Sequence, residues 1–305
     1  MKKSFHELCN DIRARIVPHP HTRAESDAAY HDAQIILEYL TGLSTAHLIA
    51  AGAFDVTPET HKRLDEILTH ITKHRKPLAY IIGTVRFLDL ELTIKPPVLI
   101  PRSETESWCA QTIEDIAPFV ARAADTQNPF TIVDVCTGSG CIALALATRF
   151  AQENIRVIGI DDAEHALACA RENARRNGIK KCTFVRSNLF DRLPDRFACD
   201  LIVSNPPYIG TEEYDTLDPS VKNWEDPHAL FAGSDGLDVI QRIIASAPAY
   251  LRTKYGCGEL RCEIGHTQAH RVRMLFEKNR YTSIGELNDI NGIPRVIYGK
   301  STSVQ

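Results

Sequence analysis

The sequence predicts an α/β protein, with a small bundle of helices followed by a seven-stranded sheet built mainly from parallel strands. Three observations predict it. Apolar residues recur at helical spacing through the first 75 positions, short apolar runs alternate with helical stretches after Pro129, and a glycine-rich turn joins the first of those strands to its helix. The 305 residues, 44% hydrophobic and 24% charged, have globular composition, and a chain of this length makes about two domains.

Ser4 with Glu7 three residues on forms a capping box, after which Phe5, Leu8, Ile12 and Ile16 share a helical face. A second helix carries Ile35, Ile36, Leu37 and Leu40 and stops near Gly42. Thr57-Pro58-Glu59 supplies an N-cap and a proline at the first helical position, opening a helix with Leu64, Ile67, Leu68 and Ile71 on one side. The bundle ends near Arg75, giving a first domain over 1–75. Two short apolar runs, 78–82 and 85–94, are punctuated by Gly83 and closed by Pro96-Pro97, and read as a β-hairpin in a linker over 76–102. Ser103-Glu104-Thr105-Glu106 reads as a second capping box, which accounts for Glu106 structurally and leaves open whether Glu104 and Glu106 touch an active site. It opens a helix through Trp108, Ile113 and Ile116 and a second domain over 103–305. Trp108 and Trp224 read as core or interface residues.

Strands at 130–135, 155–160, 183–186 and 201–204 alternate with helices at 141–150 and 163–177, the pattern of βαβ units. A helix at 237–251, a strand at 259–264, a helix at 268–278 and two final strands complete seven strands.

The 35 Lys and Arg against 39 Asp and Glu leave a net charge of -4 and no large positive field, so no nucleic-acid partner is expected. The longest apolar runs, such as 142–147, fall far short of the roughly 18 residues of a membrane span, so no membrane association is expected either. Acidic and polar residues follow Met1-Lys2-Lys3 where a signal peptide would be apolar, so the mature chain is expected to begin here, in the cytoplasm. Nine cysteines, an odd number without a C-x-x-C pair, fit reduced thiols. The H-E-x-x-H signature is missing from the sequence and no metal is expected.

The chemistry concentrates at two strand ends. The first strand runs through Asp134-Val135 into Cys136-Thr137-Gly138-Ser139-Gly140 and a helix, where glycines admit close approach of a ligand and free amides favour an anionic group. The next strand ends in Asp161, about 20 residues on, where nucleotide folds bind a ribose hydroxyl. Because Gly138-Ser139-Gly140-Cys141-Ile142-Ala143 also satisfies G-x-G-x-x-A, the loop specifies a nucleoside cofactor without saying which. The strand Leu201-Ile202-Val203 empties into Asn205-Pro206-Pro207-Tyr208. An Asn side-chain oxygen and the Pro206 carbonyl can accept both N–H bonds of one planar NH2 group, orienting a nitrogen whose lone pair is otherwise delocalised. Tyr208 adds an aromatic face.

Together these residues resemble the class I S-adenosylmethionine-dependent methyltransferases that act on amino groups of planar systems. More narrowly the chain resembles the HemK-type glutamine methyltransferases of peptide chain release factors, matching them also at Pro77-Leu78-Ala79-Tyr80-Ile81-Ile82-Gly83, at Ile100-Pro101-Arg102-Ser103-Glu104-Thr105-Glu106, at 229–237 and at Cys262-Glu263-Ile264-Gly265. The resemblance implies a seven-stranded Rossmann-like sheet whose last strand is antiparallel, behind a helical domain that docks the protein substrate. It implies transfer from S-adenosyl-L-methionine, leaving S-adenosyl-L-homocysteine, to the side-chain nitrogen (N5) of the glutamine in the Gly-Gly-Gln motif of class 1 release factors. Carried over, Cys136, Thr137, Gly138, Ser139 and Gly140 hold the methionine part, Asp161 the ribose, and Asn188 and Leu189 the adenine. Asn205, Pro206, Pro207 and Tyr208 hold the glutamine amide, with Asn205, Pro206 and Tyr208 catalytic and Asn205 also facing the cofactor. Two departures stand out. Cys136 replaces the first glycine of the loop, and Asn188 replaces the usual Asp. The rival readings are a DNA adenine or cytosine amino-methyltransferase, which uses the same chemistry on a flipped base, and a ribosomal-protein glutamine methyltransferase. Further off are an NAD-linked dehydrogenase, which gives the Asn-Pro-Pro-Tyr turn no role, and a non-catalytic nucleotide-binding module.

Overall fold

The computed structural model describes residues 2–54 and 56–302, and the chain divides into two compact units, Met1–Gly83 and Thr84–Gln305. In the first, a two-residue strand pair, β1 (Lys3–Ser4) and β2 (Ala53–Phe54), accompanies helices α1 (Phe5–Ile16), α2 (Arg23–Thr41), α3 (Thr45–Ala50), α4 (Pro58–Thr72) and α5 (Leu78–Ile82). The Ser4–Glu7 capping box forms in both directions, with the Ser4 amide donating to Glu7 Oε2 at 2.7 Å and the Glu7 amide to Ser4 Oγ at 3.3 Å. Thr22 and Thr57 cap α2 and α4, and Gly42 ends α2 in the left-handed conformation. Phe5, Ile12, Ile36, Leu48 and Leu68 fill the core between them.

Two sequence expectations are corrected around this unit's end. The run Leu78–Ile82, expected as one arm of a hairpin, is helix α5, which Pro77 opens and Gly83 closes by donating its amide to Ala79 O at 2.8 Å. An apolar run of five residues fits either period, and here the two flanking residues decide it. Both arms of the hairpin come from the other run, with Thr84 added at its start, as β3 (Thr84–Phe87) and β4 (Leu90–Thr93), with Leu88 at φ 50° in the intervening turn.

The second unit begins with that hairpin and with α6 (Ser103–Ala121), then alternates β5 (Phe130–Val135), α7 (Cys141–Arg149), β6 (Ile155–Asp161), α8 (Glu164–Arg176), β7 (Cys182–Arg186) and β8 (Leu201–Ser204). Short helices α9 (Thr211–Asp215) and α10 (Pro219–Lys222) precede α11 (Asp238–Ser246), β9 (Glu259–Glu263), α12 (Ala269–Lys278), β10 (Thr282–Asn288) and β11 (Pro294–Lys300). The sheet has seven strands in the order β10-β11-β9-β8-β5-β6-β7. β7, β6, β5, β8 and β9 are parallel, and the last strand, β11, runs antiparallel to β9 and β10. Strands buried on both faces read as near-continuous apolar runs. Ile132, Val157 and Leu201 pack with α6 and α7 on one face, and Val133, Ile158 and Ile202 pack with α11 and α12 on the other.

The second expected capping box does not form. α6 begins at Ser103 without a side-chain cap, and Glu106 instead accepts the Leu88 amide at 2.6 Å, fastening the β3–β4 turn to the helix. Among the described residues no helix is long and apolar enough to cross a membrane, and all nine cysteines are free thiols.

Candidate active site

Four strand ends meet on one rung of the sheet. Val135 pairs with Ser204 and with Ile160, and Ser204 pairs with Cys262; Ser204 Oγ also donates to the Val135 carbonyl at 2.7 Å. The next residues along each strand, Cys136, Asp161, Asn205 and Glu263, therefore stand side by side at the carboxyl edge. The strand order reverses between β5 and β8, and such a switch point opens a crevice in an open α/β sheet.

The loop after β5 turns into α7 through three left-handed residues, Cys136 at φ 60°, Gly138 at 56° and Gly140 at 82°. At Gly140 a Cβ would meet that of Ala170 at 3.0 Å, so α8 packs against bare backbone there. The Thr137 amide donates to Ile160 O at 2.9 Å, Thr137 Oγ1 to Asp134 Oδ2 at 2.6 Å, and the Gly138 amide to Asp161 Oδ2 at 2.8 Å. The Ala143 amide reaches the same Asp134 oxygen at 3.2 Å, while Asp134 Oδ1 is buried without a hydrogen-bond partner. Burial pushes the Asp134 carboxyl up to about 7 against the pull of its Thr137 and Ala143 donors. Burial raises Asp161 as well, opposed by the amides of Ala163 and Gly138.

A cavity of about 230 Å3 opens above this rung. Of the residues expected to hold a cofactor, Cys136, Gly138, Asp161, Asn188, Leu189 and Asn205 line it. Thr137, Ser139 and Gly140 do not, and fasten the loop instead: Ser139 offers its carbonyl to Asn173 Nδ2 of α8 at 3.0 Å, and Gly140 donates its amide to Thr137 O at 2.8 Å. Asn188 is held at both ends of its amide, by Arg242 on the oxygen at 3.0 Å and by Asp191 on the nitrogen at 3.1 Å. The rim adds a pair that the sequence did not suggest, His165 Nε2 at 3.0 Å from Asp226 Oδ2.

A second cavity of about 150 Å3 is lined by Arg102, Asn205, Pro206, Tyr208 and five further apolar residues besides Leu99, and it shares Leu99, Asn205 and Ala229 with the first. Pro207 lies on the larger cavity's side. Gln268 Nε2 donates to the Tyr208 carbonyl at 2.9 Å. A Cβ on Gly236 would come within 2.1 Å of that same oxygen, so only glycine closes the turn here. Arg102 donates to both carboxylate oxygens of the buried Glu225 at 2.7 Å.

Behind the Asn-Pro-Pro-Tyr turn lies a polar cluster that sequence reasoning missed. Asn205 Nδ2 donates to Thr105 Oγ1 at 3.1 Å, Thr105 Oγ1 to Glu263 Oε2 at 2.7 Å, and Trp108 Nε1 to the same oxygen at 2.6 Å. Tyr208 donates its hydroxyl to Glu263 Oε1 at 3.3 Å. Burial raises the Glu263 carboxyl although Trp108, Thr105 and Tyr208 all favour its charged form, and burial next to that charge raises the Tyr208 phenol. Glu104 and Glu106 line neither cavity.

Residues 22–83 match the family description "PrmC N-terminal domain" and residues 103–218 match "Methyltransferase small domain". A release factor glutamine methyltransferase of Geobacter sulfurreducens is 39% identical over 227 residues, 74% of each chain. One of Pasteurella multocida is 34% identical over 271 residues, 87% of this chain and 89% of its own. A third, of Fusobacterium nucleatum, is 38% identical over 246 residues, 81% of this chain and 66% of the relative's length. Among solved structures, the 16S rRNA N2 G1207 methyltransferase of T. thermophilus shares the fold with a TM-score of 0.51 at 18% identity, over 72% of this chain and 49% of its own. With these relatives aligned along most of its length, the chain belongs to the release factor glutamine methyltransferase family.

Proposed function

We infer that this protein methylates the side-chain amide nitrogen of the glutamine in the Gly-Gly-Gln motif of class 1 release factors, using S-adenosyl-L-methionine. The observation that carries this reading is the position of Asn205, a wall common to two cavities and level with the glycine loop. The larger cavity suits the cofactor and the smaller one a planar side-chain amide.

The chemistry of the larger cavity fits the cofactor. Asp161 lines its loop end, and a carboxylate there favours a ligand carrying positive charge. Each Asp161 oxygen accepts one backbone amide, which leaves each with capacity for a ribose hydroxyl. Gly138 presents bare backbone to the methionine part, and Leu189 with Asn188 borders the adenine. S-adenosylmethionine, when bound, supplies a methyl group on a cationic sulfur.

Asn205 and Pro206 hold the acceptor. The Asn205 side-chain oxygen and the Pro206 carbonyl accept the two N–H bonds of the glutamine amide, which fixes the nitrogen in space and stabilises the positive charge that grows on it. Tyr208 packs on the planar group. No residue of this set forms a covalent bond to the substrate. The net charge of -4 favours a protein over a DNA acceptor, and a release factor substrate places the reaction in the cytoplasm.

The test is to incubate the protein with methyl-labelled S-adenosylmethionine and, separately, a class 1 release factor, its Gln-to-Ala variant and duplex DNA, then locate the label by mass spectrometry. Label on the Gly-Gly-Gln glutamine alone is expected. Equal labelling of the Gln-to-Ala variant, or label on DNA, would overturn the reading.

A further inference from the structure

An asparagine can stabilise a substrate N–H only if the oxygen end of its amide faces the substrate. The two ends are nearly isosteric, so something must select one of them. Around Asn205 the selection runs through groups of one-way hydrogen-bonding character. The Trp108 indole nitrogen only donates, and with Trp108, Thr105 and Tyr208 all favouring its charged form Glu263 acts as the acceptor, so its Oε2 receives both Trp108 and Thr105. The single hydroxyl proton of Thr105 is thereby committed to Glu263, and its oxygen can only accept. The amide end facing it at 3.1 Å must then be NH2, which leaves the Asn205 oxygen for the acceptor cavity. All the intermediaries are enclosed: Thr105 is 1% exposed, Trp108 3% and Glu263 2%, so water cannot substitute for a missing link.

We propose that Thr105 and Glu263 are positioning residues, a directional relay that holds the Asn205 side-chain oxygen toward the substrate amide. The proposal rests on the reading of Asn205 as the amide holder and adds what makes it work. Neither residue touches the substrate. Their effect belongs to turnover, because a flipped Asn205 would present donors to a donor, whereas docking of the release factor draws on contacts elsewhere on the protein.

Thr105→Val keeps the shape and removes the hydroxyl; Thr105→Ser removes a methyl group and keeps the hydroxyl. Loss of the hydroxyl, which breaks both the Asn205 and the Glu263 hydrogen bonds, predicts that T105V lowers kcat by about 10- to 100-fold. KM for the release factor and the S-adenosylmethionine Kd by calorimetry should stay close to wild type, and T105S should recover most of the turnover. Should T105V fail to fold, Thr105→Ala, which adds no bulk, carries the same expectation. Wild-type kcat in the hydroxyl-free variants, failure of T105S to recover turnover, or a loss matched by weakened cofactor binding would each overturn the proposal. Asn205→Ala separates the two levels: if it turns over normally, the functional reading itself falls, and if it is inactive while T105V is normal, only the relay does.

Discussion

On the β5 side of the crevice the site is made almost wholly of backbone. The 136–140 backbone turns through left-handed conformations, and its Thr137 and Gly138 amides, with the Thr137 hydroxyl, are tied to Ile160, Asp161 and Asp134, partners within about 25 positions. On the β8 side it is made of side chains, and the groups that brace Asn205 and Tyr208 come from α6, 100 residues upstream, and from β9, 55 residues downstream. The two sides answer different demands. On the proposed reading, a cofactor shared by many reactions needs close approach and a nearby charge, which a short loop and Asp161 supply. A weakly nucleophilic amide needs an acceptor of defined direction, and one strand end cannot enforce that alone.

The sharpest way to break this contrast is to remove the acceptor on the β8 side. Asn205→Ala should lower the methylation rate by about 100- to 1,000-fold, the cost of deleting one preorganised polar group from a charge-stabilising site, while cofactor affinity by calorimetry stays near wild type. A parallel collapse of cofactor binding would show that the two sides are one.

The next effect belongs to the β5 side, where Asp134 is buried with its carboxyl pushed up to about 7. The native state then holds the proton more tightly than the unfolded chain, whose carboxyl titrates near pH 4. The stability from this group is full below about pH 4 and is lost as pH rises through about 7, by as much as about 4 kcal/mol. Asp134→Asn carries no such titration. Urea unfolding across that range should show the wild type falling relative to the variant, and parallel curves would remove the buried charge from the account. Asp161→Ala follows, because it deprives the Gly138 and Ala163 amides of their acceptor. Loss of such contacts should weaken S-adenosylmethionine binding by about 10- to 100-fold, with a smaller change in kcat at saturating cofactor.

The same contrast explains what could be read in the sequence. The glycine loop, Asp161 and the Asn-Pro-Pro-Tyr turn are contiguous devices whose strand-turn-helix setting is local, and the alternation of apolar runs announced all seven strands. The polar cluster was hidden because Thr105, Trp108 and Glu263 meet across 155 to 158 positions. One signal was available: Glu259, Arg261 and Glu263 punctuate a strand that lies inside the sheet, and charges there must find partners. The misread capping box has a similar cause. Glu106 had a local use at the helix start and a competing one 18 residues away, and only the packed hairpin decides between them. At Leu78–Ile82 the apolar run itself carried no period to decide on.

The smallest effect concerns the departure at Cys136, which takes φ 60° where a glycine would be at ease. A side chain in that region costs about 1 kcal/mol or more. Cys136→Gly removes the strain, but it also loosens the unfolded chain by up to about 1 kcal/mol and gives up the contact its side chain makes with the core beside it. These terms oppose each other, so the variant should unfold within about 1 kcal/mol of wild type and bind cofactor equally well. A larger loss of stability would mean that the thiol's packing outweighs the backbone, and that even the β5 side depends on a side chain for its shape.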